Sequence, residues 1–137
     1  MNNFNEYVTA AKQLLVLATA NDNQPSARIM GFAQDAETPN KWYLVTDPTS
    51  AKMIDITANE KVAFTTMLGD GGRRISSNAA TVNKSRKSWA DVAHYFTDNK
   101  GFMAGHPKPE TEIILELTFK SALLASFVAA PEVVSFV

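Results

Sequence analysis

The chain has 137 residues, with 45% hydrophobic and 20% charged side chains, a size and balance that suit one globular domain with its own core. Thirteen basic against fourteen acidic residues give a formal net charge of -1, without the basic excess of general nucleic-acid or anionic-membrane binders. With no cysteine there is no disulfide, thiolate metal site, iron–sulfur cluster or cysteine nucleophile.

Phe4, Tyr7, Val8, Ala11, Leu14 and Leu15 recur at three- and four-residue spacing, which predicts a short opening helix. The start lacks the basic segment and apolar run of a secretion signal, and Leu14–Ala18 is far short of the ~18 apolar residues that cross a bilayer. A soluble cytoplasmic protein is therefore expected, with neither nucleic acid nor membrane as partner. Leu14 to Ala20 reads as a buried strand, Asn21 to Pro25 as a turn, and Ser26 to Gln34 as the returning strand of a hairpin.

After a turn at Asp35 to Lys41, Trp42-Tyr43-Leu44-Val45-Thr46 is a strand by its aromatic and β-branched content. Asp47-Pro48 predicts a helix start, with Met53, Ile54 and Ile56, and Ala51 and Ala58 beside them, on the buried side. Lys61 to Leu68 and Arg73 to Asn83 are strands joined by the tight turn Gly69-Asp70-Gly71-Gly72. Ser88 caps a helix bearing Trp89, Val92, Ala93 and Phe96 on one face. Gly101 to Glu110 is a loop, and Thr111 to Val128 is one long strand or two consecutive ones. About six largely antiparallel strands and three peripheral short helices predict a mainly β barrel or sandwich.

Ordinary catalytic machinery is not apparent. His94 and His106 lack carboxylates at metal-ligand spacing, and His94 sits beside an apolar helix stripe. Ser76 and Ser77 lack a nucleophile elbow, and the glycine turn lies between strands rather than ahead of a helix. No catalytic or metal-ligating residue is assigned, and any chemistry falls to a cofactor.

Two segments carry more. Thr49, Ser50 and Lys52 fall in the first turn of the predicted helix, where free amides, hydroxyls and an ammonium group suit a phosphate. Arg28, on a nearby strand, offers a planar two-pronged donor. The same residues also suit a plain helix cap with both cations turned to water.

In order and spacing these segments resemble the pyridoxamine 5'-phosphate oxidase-like family of FMN-binding split β-barrels, in its general stress protein-like branch. The matching residues are Pro25, Arg28, Ile29 and Met30, then Val45 and Thr46, then Ser50 and Lys52. The resemblance runs from about Leu14 to Phe127 and implies one split-barrel domain over 1–137. It implies that Arg28, Lys52 and Ser50 hold the phosphate of FMN, and that backbone around Ile29, Met30, Val45 and Thr46 lines the ribityl chain and isoalloxazine ring. Arg74 would reach flavin across a homodimer interface, with Arg73 competing for that position.

Two departures stand out: Ala51 replaces a second phosphate cation, and Ala33 replaces a lysine often found after the arginine. They imply weaker FMN binding or a different cofactor, such as a deazaflavin or haem. The substrate signature of the true oxidase is absent, so a related oxidoreductase, or a non-enzymatic dimeric binder, is expected instead. Leu123, Leu124, Phe127, Val128, Val133, Val134, Phe136 and Val137 exceed the needs of one small core and suggest an interface.

Overall fold

In the computed structural model, which describes residues 3–136, helix α1 (Phe4–Ala10) ends sooner than its apolar spacing predicts. Lys12 and Gln13 adopt φ of 51° and 61°, a left-handed turn no helix continues through. Strand β1 (Leu14–Asn21) follows, and Asp22 and Asn23, at φ 51° and 62°, form the two-residue hairpin turn into β2 (Gln24–Gly31). The expected second strand continues as β3 (Ala33–Gln34) after a bend at Phe32. Pro25 is tolerated because β2 lies at an edge of the pairing order.

That bend closes the fold. The strand order is β2-β1-β5-β6-β7-β4-β3, with β4 (Lys41–Thr46), β5 (Lys61–Thr66), β6 (Arg74–Lys84) and β7 (Ile113–Phe119) all paired antiparallel. Both ends of the order belong to the single run Gln24–Gln34, so the sheet curls back on itself as a split β-barrel. Thr111 to Val128 divides into β7 and β8 (Ser121–Ala125), and a further strand, β9 (Glu132–Ser135), was not expected. It is short, and its register comes from pairing with β8.

Strand alternation builds two apolar layers. Leu15, Leu17, Trp42, Leu44, Phe64, Leu115, Leu117 and Phe119 fill the barrel. Trp42 is central, stacked on Phe32 at 4.3 Å and edge-on to Phe119 at 5.0 Å. The alternate residues of β4, Tyr43 and Val45, face outward yet are buried, under Val92, Phe96 and Phe102. Val92 and Phe102 come from α3 (Trp89–Val92) and α4 (Lys100–Gly105), and Phe96 follows the 3-10 turn Ala93–Tyr95 between them. The Gly101–Glu110 loop expectation is thus corrected: Asn99 accepts a hydrogen bond from Phe102 N and caps a helix that two glycines had disguised.

The start of α2 (Ala51–Ala58) is a second correction. Asp47 does not cap it, because its carboxylate accepts bonds from Thr49 N at 2.8 Å and Thr49 Oγ1 at 2.7 Å. This local turn postpones the helix by three residues, and Ser50 becomes the N-cap position. Ile56 is buried as expected, whereas Ile54 is 68% exposed. Among the C-terminal apolar residues, Leu124 and Val134 are core, and Phe136 packs edge-on to Phe4. Leu123, Phe127, Val128 and Val133 are exposed, and Val137 lies outside the described residues.

Candidate functional site

Where β2, the end of β4 and the start of α2 meet, a cleft of about 440 Å³ opens between them. Arg28, Ile29 and Met30 line it from β2, Val45 and Thr46 from β4, Ser50 from the N-cap position of α2 and Lys52 from its first turn. Seven of the eight expected cofactor-binding residues therefore share one cavity. The two cations approach from separate segments and do not turn away into water.

Hydrogen bonds fix both. Arg28 Nη1 donates to Leu17 O at 3.2 Å and Thr19 Oγ1 at 2.9 Å, and Nη2 lies 3.8 Å from Asp55 Oδ2. Asp55 also accepts from Thr19 Oγ1 at 2.8 Å, so β1, β2 and α2 are joined through one buried hydroxyl. Lys52 Nζ donates to Thr46 Oγ1 at 2.8 Å and Ser50 Oγ at 3.3 Å. Among the described residues no carboxylate oxygen lies within 4.0 Å of that ammonium. Burial, and then the nearby Arg28 charge, push the Lys52 pKa down, against the opposing pull of Asp47 and Glu112. Two cations held together over one cleft, one of them lacking a counter-ion, are stabilised by an incoming anion.

Ser50 occupies the N-cap position without a side-chain cap bond, its hydroxyl being turned to Thr46 and Lys52. The first-turn amides of α2 accordingly lack a side-chain partner from Ser50, as an anion site at a helix start requires. This donor set (guanidinium, ammonium, hydroxyls and amides) fits a phosphate, and Ile29, Met30 and Val45 supply an apolar wall beside it.

Arg74 lies elsewhere. It donates to Gly72 O at 3.2 Å, with its guanidinium 6.0 Å from the Phe127 ring, and does not line the cleft of its own chain. Arg73 is likewise outside, donating to Asp70 O and standing 5.8 Å from the Tyr7 ring. Ala33 is buried under the α3–α4 layer, so no longer side chain would reach the cleft from it without displacing that packing. Ala51 is exposed at the first position of α2.

Four cleft residues escaped the sequence reading in this role: Gly31, Asp47, His106 and Glu112. His106 Nδ1 meets Glu112 Oε1 at 2.7 Å, a contact made when the single turn Pro109–Thr111 folds the chain back on itself. The Pro107 and Pro109 spacing signals a turn, but nothing in it signals the pairing. Among the described residues there is no group of three or more His, Cys, Asp or Glu that would hold a metal ion, and no helix is long and apolar enough to cross a membrane.

Solved structures share this architecture. ChuZ from Campylobacter jejuni superposes with a TM-score of 0.76 at 13% identity, over 98% of this chain and 58% of ChuZ. The chain thus spans under two thirds of that longer protein. General Stress Protein 26 from Bacillus anthracis str. Sterne gives a TM-score of 0.70 at 17% identity, covering 99% of this chain and 100% of that one. A pyridoxamine 5'-phosphate oxidase-related, FMN-binding protein from Nostoc punctiforme gives 0.64 at 14% identity, over 98% and 95%. No curated protein matches the sequence significantly. The family model for pyridoxamine 5'-phosphate oxidase matches residues 4–124, nearly the whole barrel together with its cleft, and on that match the chain belongs to the pyridoxamine 5'-phosphate oxidase family.

Proposed function

We propose that this protein binds FMN, with the phosphate between Arg28 and Lys52 and the flavin ring along the Ile29–Met30–Val45 wall. The observation that carries this reading is the convergence of the two cations, with Ser50 and the start of α2, on a single cleft. The description of the Nostoc relative as FMN-binding supports the choice of flavin nucleotide. Bound flavin supplies electron transfer, and we infer an oxidoreductase acting on a small molecule. The chain's own residues bind and orient: Arg28 and Lys52 fix the phosphate end, and the apolar wall excludes water from the ring.

The test compares FMN with riboflavin, which lacks the phosphate. Lys52→Ala is expected to weaken FMN by about 1.5–3 kcal/mol, roughly 10- to 150-fold, while riboflavin changes little. Fluorescence quenching measures both. Equal losses for the two ligands would show that Lys52 does not meet the phosphate. The absorption spectrum of the purified protein separates flavin from haem, and mass spectrometry of the released ligand separates FMN from a deazaflavin.

We also propose a homodimer. Cross-strand registers set Ile29, Val16, Thr65, Ser76, Leu123 and Val133 in one row over six strands, on the face opposite the barrel core. Ile29 is 61% exposed, Leu123 39% and Val133 68%, so the row is apolar at both ends with Thr65 and Ser76 between, a band of the kind a partner covers. In such a dimer Arg74, outside the cleft of its own chain, would be offered to the partner's flavin. Leu123→Glu places a charge in the band without touching the core and is expected to yield monomer by light scattering. Wild-type protein that is monomeric at assay concentration would end the dimer reading.

A further inference from the structure

An anion cleft has little use for a carboxylate, yet Glu112 stands in its wall. With Asp47 it sets two negative groups against Arg28 and Lys52. Glu112 is not bare, because His106 Nδ1 lies 2.7 Å from its Oε1. The imidazole is held flat on Phe102 at 4.2 Å and 16°, and Phe102 is held on Phe96 at 4.2 Å and 20°. His106 is thus the end ring of a three-ring stack rooted in the layer beneath α3 and α4. Its outer side borders the cation cleft and also an adjoining cavity of about 340 Å³ lined by Lys12, Gln13, Gly31, Asn99 and Phe102. Glu112 takes Nδ1, and among the described residues no side chain or backbone group takes Nε2.

We propose that His106, oriented by Glu112, is a positioning residue of the anion cleft: a phosphoryl group binds there together with one proton, and His106 donates Nε2–H to it. The proposal deepens the FMN reading and rests on it for the identity of the ligand. Charge balance is its basis. The groups facing His106 are Arg28 from β2, Lys52 from α2, Asp47 from the turn before α2, Glu112 from the segment before β7, and Lys12 across the adjoining cavity. Asp55 already stands behind Arg28. Within the cleft two cations meet two carboxylates, so an added dianion brings two negative charges that the cleft's own groups do not offset, and a proton taken up with it removes one of them. His106 is the group placed to carry that proton between Glu112 and the phosphoryl oxygens. By linkage, whatever factor the phosphate adds to proton affinity, the proton adds to phosphate affinity.

A purely structural role, fixing α4 through the stack, predicts something different, and His106→Phe separates the two. Phenylalanine keeps the stack on Phe102 but removes both nitrogens and uncovers Glu112. It is expected to weaken FMN about tenfold or more, with riboflavin affinity and melting temperature unchanged. Glu112→Gln still accepts the Nδ1 proton but removes the charge, and is expected to strengthen FMN severalfold at alkaline pH.

The direct reading is imidazole NMR of the full chain, in which His94, exposed, beside Tyr95 at 4.1 Å and not among the cleft's lining residues, is the internal control. Inorganic phosphate and FMN are each expected to shift the His106 titration toward higher pH by about tenfold in proton concentration. His94 should stay in place, and riboflavin should move neither ring. A His106 titration that ignores phosphate, or that riboflavin moves equally, overturns the proposal, as does a His106→Phe variant that binds FMN like wild type. FMN bound with His106 unmoved removes this inference alone. Phosphate moving His106 in a protein that does not take FMN supports the proton-linked anion site and removes the flavin reading.

Discussion

Arg28→Ala is expected to weaken FMN by roughly a hundredfold or more, beyond the loss for Lys52→Ala, because it acts twice. It removes a charge-assisted donor from the phosphate, and it uncovers Asp55, which the guanidinium now faces at 3.8 Å. The bare carboxylate then repels the ligand from beside the vacated position. Arg28→Lys keeps a charge but loses the fork that reaches Leu17 O and Thr19 Oγ1, so an intermediate loss is expected. Adding Asp55→Asn to Arg28→Ala should restore part of the FMN affinity and leave riboflavin unchanged. Titration of all four proteins with both ligands, alongside circular dichroism to verify folding, decides the matter. A double variant no better than Arg28→Ala would show that Asp55 has no electrostatic part in the cleft.

The barrel and the cation pair were legible in the sequence for physical reasons that differ from those hiding the rest. Strands β1, β5 and β6 announce themselves because turn residues bracket runs of apolar and β-branched side chains. Arg28 and Lys52 stand out because each is a cation at the border of a regular element, where side chains from different segments can meet. The start of α2 misled because Asp47-Pro48 has the composition of a cap, while the Asp47 carboxylate is drawn into bonds with Thr49. Helix α4 was hidden by Gly101 and Gly105, whose weak helix propensity is overridden by Phe102 packing under Phe96. Strand β9 exists by pairing with β8, a non-local cause that no local pattern carries. The pairs Arg28–Asp55 and His106–Glu112 belong to the same class: each depends on where a turn or a neighbouring element brings a carboxylate.

Trp42→Ala is expected to have the largest effect on stability, about 3–5 kcal/mol, which for a chain of this length lowers the melting temperature by on the order of 10–20 °C. Trp42 is wholly buried, stacks on Phe32, packs against Phe64 and Phe119, and donates Nε1–H to Pro39 O at 3.0 Å. Truncation leaves a cavity where β4 meets the bend between β2 and β3, and rigid neighbours fill it only in part. Because Phe32 directly follows Met30 and Gly31 in the chain, loosening that bend also shifts one wall of the cleft. FMN and riboflavin should therefore weaken together, whereas the Arg28 and Lys52 variants act on FMN alone. Trp42→Phe, which retains a stacking ring, should recover most of both. A Trp42→Ala protein that melts like wild type would mean the barrel is not organised around this ring. Selective loss of FMN in that variant would mean instead that the packing and charge contributions to the cleft had been assigned the wrong way round.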